Sequence, residues 1–307
     1  MITAAVAAIV AMLTVAAAGP PLAVRLPPRW AVWLLGLAAT GAAASTVFVL
    51  GVLTFIWLGQ FGEIAEEGHW SPAALRAADP ISAQVSIGSG LLLVSAMTWT
   101  TRAVLRHLRQ LYAWRRIERD LPVGEGSVSV LDSDDVDAFT LPSGRVLITQ
   151  GMLAALTQAE RDIVLAHERS HRVHWHAWWR VIVDLDAAIN PLLRPTARAV
   201  MHMTERWADE DATRIADRRT VALTIGRIAL MRNRRRPDLT VAATGGRIPQ
   251  RVRALLDSPP RTHPAHLLTV LVLLATLTGT SLAVEHAGEA LIENAMHHPT
   301  AAETANR

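Results

Sequence analysis

His167 and His171 stand four residues apart, with Glu168 directly after the first, in the run His167-Glu168-Arg169-Ser170-His171. On an α-helix that spacing puts both imidazoles on one face, one turn apart. Two neutral imidazoles so placed can hold one Zn²⁺, and a catalytic zinc keeps a further position open for water. Zinc lowers the pKa of that water and polarises a peptide carbonyl. Glu168 is then placed to take the water's proton and hand it to the leaving amine. The plain alternative is two surface histidines beside an incidental glutamate.

A third ligand is required. His174 and His176 are near but awkwardly placed. A metzincin would need glycine three residues after the second histidine and a third histidine three further on; those places hold His174 and Ala177, which excludes that class. His174 reads as a neighbour of the site rather than a ligand. Glu205 is the better candidate, in the run Glu205-Arg206-Trp207-Ala208-Asp209. Asp209, four residues on, shares its helix face and can accept the free ring N–H of a ligand histidine, fixing its tautomer. Glu210 and Asp211 read as a solvated acidic face. The chain has no cysteine, so thiolate ligands and disulfides are excluded.

The elements that must carry these residues follow from local patterns. Thr157 and Glu160 form a capping box, starting a helix that runs through His171 and on towards 184. Pro191 and Pro195 interrupt, and a second helix spans 197–219. Upstream, 127–131, 138–141 and 145–149 read as short strands, with a turn cluster at 132–135. Pro142-Ser143-Gly144 joins the last two strands as a hairpin.

Around this block lie four stretches apolar enough to cross a bilayer: 2–24, 30–58, 81–101 and 266–284. The first lacks the basic start of a cleaved signal peptide, so it reads as a span. Small residues recur in the second, including Gly36, Ala38, Ala39 and Gly41, which allows close helix approach. A basic helix over 102–120 continues the third span. The predicted division is three membrane helices in 1–105, a basic linker helix in 106–120, a peptidase domain in 121–262, a fourth membrane helix in 263–285 and a polar tail in 286–307. All 30 basic residues are arginine, and they gather beside apolar segments. The positive-inside rule then puts 102–263 in the cytoplasm and both termini outside. A net charge of only +3 gives no reason to expect nucleic acid as a partner. The fold expected is mainly α, a multi-span membrane protein bearing a zincin-like α+β domain with a small sheet over the zinc-binding helices.

The stretch 138–146, then Gly151-Met152-Leu153, then 165–171, and finally Glu205 with Ala208-Asp209, resembles the gluzincin membrane peptidases. One family of these (M48) contains the HtpX and Ste24 proteases; another (M56) contains the metalloprotease domain of the BlaR1 and MecR1 signal transducers. The layout of spans favours the BlaR1-like family, as does the run 247–256. The resemblance implies one zinc ion per chain held by His167, His171 and Glu205, with Glu168 as base and Asp209 orienting a ligand. It implies an extended protein or peptide substrate added along the strand Ala138, Phe139 and Thr140. It implies a bacterial cell membrane, with the lipid bilayer as partner; a homo-oligomer stays open. The expected activity is zinc-dependent cleavage of a cytoplasmic protein, such as a transcriptional repressor. The alternatives are an HtpX-like quality-control protease and a zinc-binding signalling scaffold that does not cleave. The transducers carry a β-lactam-sensing domain after the last span, and this chain departs from that pattern with a short tail there, which puts direct drug sensing in doubt. His202, Arg251 and His263 are candidates for stabilising an oxyanion, each with a structural alternative.

Overall fold

The computed structural model describes residues 1–79, 81–120, 128–141, 143–235, 247–258 and 261–297. Ser127 of the first predicted strand, Pro142 of the hairpin, 121–126 of the predicted peptidase domain and the tail from 298 lie outside these residues. The fold is mainly α with one small sheet.

Two long helices open the chain, α1 (Ile2–Arg25) and α2 (Pro28–Leu58). Two short helices follow, α3 (Gly62–Gly68) and α4 (Pro72–Ala78), then α5 (Ala83–Asp120). The basic segment 102–120 is the unbroken continuation of α5, as its arginine-rich pattern suggested. By length and composition, α1, α2 and the last helix, α12 (Pro264–His297), can each cross a membrane. Pro72–Ala78 and Ala83–Arg119 pass the same test only as a pair bent by 101°. Exposed Val6, Val10, Leu37, Val47, Leu268 and Leu271 give these helices outward apolar faces, as lipid contact requires.

The sheet has the order β1-β3-β2. Strands β2 (Ala138–Thr140) and β3 (Val146–Thr149) form the expected antiparallel hairpin. Gly144 closes it at φ 89°, a conformation that suits glycine. Strand β1 (Val128–Leu131) pairs parallel to β3. The connection before β2 is tied to the end of β3. The Thr149 hydroxyl donates to the carbonyls of Asp135 and Asp137 (2.5 and 2.9 Å) and accepts from the amide of Met152. Thr149 thereby caps α6 (Gln150–Ala155). Gly151 lies against this connection, and a Cβ there would sit 2.1 Å from the Asp134 carbonyl oxygen. The obstacle is backbone and cannot turn aside. Gly151→Ala is therefore expected to destabilise the protein by about 1–3 kcal/mol, as overpacking does, measured as a lowered thermal midpoint in detergent.

Helix α7 (Gln158–Val173) begins with the predicted capping box, Thr157 and Glu160 each bonding the other's backbone amide. It stops earlier than its pattern suggests. Trp175 adopts a left-handed conformation at φ 57°, and α8 (His176–Ile189) starts in a new direction. The periodicity continues across this break, which is why sequence alone extends the helix towards 184. After the turn at Pro191–Leu193 comes α9 (Arg194–Ala212), with Pro195 in its first turn. The predicted second helix is also cut short, at Ala212 rather than 219. Asp217 instead accepts bonds from the amide and hydroxyl of Thr220 (3.0 and 2.6 Å), starting α10 (Arg218–Arg235). The chain returns through α11 (Arg247–Leu256) to α12. That last helix extends well past the predicted end of its span at 284. Ala295 accepts a bond from the amide of Ser71 at the start of α4 (3.0 Å), which holds the extension in place.

Helices α8 and α9 form a hairpin whose apolar side shares one core with α1 and α2, through Trp179, Val183, Leu193, Val200 and Met203. Gly36 of α2 admits the Trp179 ring, as its small-residue stripe suggested. Polar groups of the hairpin face inward. Thr40 donates to Asp186 (2.9 Å), Asn190 to the Thr46 hydroxyl (3.0 Å), and Thr196 to the Ala16 carbonyl (3.2 Å). Such pairs glue helices where water is scarce. Helices α8 and α9 and the apolar helices α1 and α2 are thus one packed unit along this seam.

Candidate metal centre

Helix α7 presents His167 and His171 one turn apart, and α9 crosses it to bring Glu205 opposite. One ligand atom from each of the three lies within 4.8 Å of the others. The two Nε2 atoms are 3.1 Å apart; Glu205 Oε2 is 3.7 Å from the first and Oε1 3.6 Å from the second. Tetrahedral zinc with nitrogen and oxygen ligands sets its donors about 3.3 Å apart, so the set fits such an ion with small adjustments.

Asp209 sits one turn beyond Glu205 on α9, almost wholly buried. Its Oδ1 is 3.0 Å from His167 Nδ1, the place from which a carboxylate orients a ligand imidazole. Asp209 is itself gripped by Arg251 of α11, through Nε (2.7 Å) and Nη2 (2.6 Å). The same guanidinium reaches Glu205 Oε2 (2.9 Å), and Arg180 of α8 reaches Glu205 Oε1 (2.6 Å). Burial opposes ionisation of both carboxylates, but their cationic neighbours hold both below the usual range. Burial also lowers the two imidazoles. At His167 the carboxylates of Asp209 and Glu205 outweigh it and hold the pKa at about 9. At His171 burial prevails, to about 3. The carboxylates thus favour the charged form of His167 and burial the neutral form of His171, and a metal ion would compete with the proton for the ligand nitrogens.

Glu168 is 8% exposed and faces a cleft of about 460 Å³. The Thr140 hydroxyl is 2.8 Å from both its Oε2 and its main-chain oxygen. Burial raises the Glu168 pKa above the ordinary glutamate range, with the His167 charge and the Thr140 bond pulling against it. All three predicted strand residues line the cleft. Ala138 packs into the core below, Phe139 against Trp114 of α5 (ring centroids 5.2 Å), and Thr140 onto Glu168. The same cleft has an apolar lining that includes Ile163, Val164, Val221, Ile225 and Ile228.

Other residues depart from expectation. Glu210 and Asp211 are not a solvated face. Glu210 makes a two-pronged pair with Arg218 (2.5 and 3.0 Å), and Asp211 accepts from Ser170 (2.7 Å) and lies 2.9 Å from His174 Nε2. His174 stacks on Trp207 and is outside the ligand group. Arg251 lines the cleft; His202 and His263 are not among its lining residues. Arg180 has no signal in sequence, because its partner is 25 residues away on another helix.

No curated protein matches the chain. Residues 112–240, which run from the end of α5 past the ligand glutamate, match the model of peptidase family M48. The match falls on the HtpX and Ste24 side of the resemblance rather than on the BlaR1-like side. With the metal-binding group and the apolar helices around it, this match supports a membrane-associated metallopeptidase.

Proposed function

We propose that this protein is a zinc-dependent endopeptidase acting at the membrane face. The observation that carries the reading is the His167, His171 and Glu205 group with a buried carboxylate, Glu168, beside it in a cleft bounded by an edge strand. A zinc ion bound there would supply Lewis acidity and an acidified water. The protein's own groups account for the rest. Glu168 takes up a proton from water and delivers it to the leaving nitrogen, and its raised pKa suits both transfers. Strand β2, paired on one side to β3, can accept an extended substrate on the other by β-augmentation. The apolar lining at Ile225 and Ile228 suits a large apolar side chain next to the scissile bond.

The arginine distribution supports a cytoplasmic site with both termini outside a bacterial membrane. Membrane-protein quality control is the reading favoured by the M48 match. Cleavage of a cytoplasmic repressor, the BlaR1-like form, draws its support from the spans on either side of the site.

The test uses the full chain in detergent. We expect about one zinc per chain by atomic absorption and cleavage of casein beside large apolar residues. 1,10-Phenanthroline should abolish the cleavage and added zinc should restore it. Undiminished cleavage after metal stripping would overturn the reading.

A further inference from the structure

The two ligand imidazoles are not held alike. His167 rests on the Asp209 carboxylate, whereas His171 Nδ1 lies 2.8 Å from His176 Nδ1. His176 is fully buried, at 0% exposure, with its ring set nearly perpendicular to that of His171. The helix break makes this contact. On an unbroken helix, five residues would turn His176 about 140° away from His171. The left-handed Trp175 swings the start of α8 back beneath the ligand instead.

The contact constrains protons. Two neutral imidazoles meeting Nδ1 to Nδ1 share one proton between them. If it belongs to His176, His171 must carry its own proton on Nε2, where the ligand lone pair is needed. If it belongs to His171, Nε2 is free to ligate, and the proton of His176 moves to its own Nε2. That atom is buried and has no hydrogen-bond partner among the described residues. A buried polar atom without a partner is costly, and the ligand geometry gives a reason for keeping it.

We propose that His176 is a positioning residue that accepts the Nδ1–H of His171 and so presents Nε2 of that histidine to the metal. It is an uncharged counterpart of Asp209, supplied by the helix break. This rests on the metallopeptidase reading above.

The test compares His176→Asn with His176→Gln in the full chain, reading zinc affinity by chelator competition and the Co²⁺ d–d spectrum. An Asn oxygen can occupy the place of Nδ1; a Gln amide reaches the place of Nε2 instead. Both are polar, and thermal melting checks that both fold. We expect His176→Asn to bind zinc within about threefold of wild type. We expect His176→Gln to bind about 10–100-fold more weakly, with a changed Co²⁺ spectrum. Equal affinities, or a tighter Gln variant, would overturn the proposal. His167→Ala, run alongside, separates the two ideas. If it keeps zinc, the metal centre itself is misplaced; if it loses zinc while the Asn and Gln variants match, only the role of His176 fails.

Discussion

Glu168→Gln is expected to keep its zinc and lose roughly 10²–10⁴-fold in kcat, the usual worth of a positioned general base. Glutamine retains the shape of the side chain and an oxygen that can accept the Thr140 hydroxyl, now 2.8 Å from Oε2. Glu168 is outside the ligand group, so the metal has no reason to leave. The loss should fall on kcat more than on KM, because the base acts in the transition state. A quenched-fluorescence peptide assay beside zinc analysis checks this, and a zinc-loaded variant within a few-fold of wild type would remove Glu168 from the mechanism. A pH dependence follows as well. The base works only as a carboxylate, and burial raises its pKa. Activity should therefore fall off on the acid side at a higher pH than an ordinary glutamate would give. Thr140→Val removes the bond that favours the charged form and should move that limb higher still.

The second large effect is expected at Asp209. Asp209→Ala deletes the partner of a guanidinium that is 13% exposed and bonded to it twice. Breaking a buried pair from one side costs about 3–5 kcal/mol, because the remaining charge stays desolvated. His167 loses its orienting carboxylate, which should weaken zinc by about 10–100-fold. Arg251, already 2.9 Å from Glu205, would then have that ligand as its main anion. Melting in detergent and chelator competition should both register the change; a variant with wild-type melting and zinc affinity would show that the network is dispensable. The sign with pH is set by Arg251, which overcomes burial and holds the Asp209 pKa below its ordinary value. That contribution is present above the unfolded pKa of about 3.9, and is lost as pH falls through the lower folded value.

What could be read without coordinates was local. The spacing of His167 and His171, the Thr157–Glu160 box, the hairpin around Gly144 and the apolar runs of α1, α2 and α12 each depend on residues within a few turns of one another. Their geometry is dictated by helix or strand period and by capping chemistry. Glu205 and Asp209 were legible as a pair for the same reason, although bringing them opposite α7 needed the crossing of α9. The misjudged helix ends have one cause. Periodicity continues through His174 and past Ala212, and only the left-handed Trp175 and the Asp217 cap show where the helices stop. The rest belongs to the tertiary structure alone. The α8–α9 hairpin packs among the spans because Gly36 leaves room for Trp179 and because Thr40, Thr46 and Ala16 meet its polar groups. Arg180 and Arg251 converge on Glu205 from different helices. His176, dismissed in sequence as awkwardly placed, reaches His171 only through the break. Charge pairing and packing act through space between distant positions, and no periodicity along the chain records them.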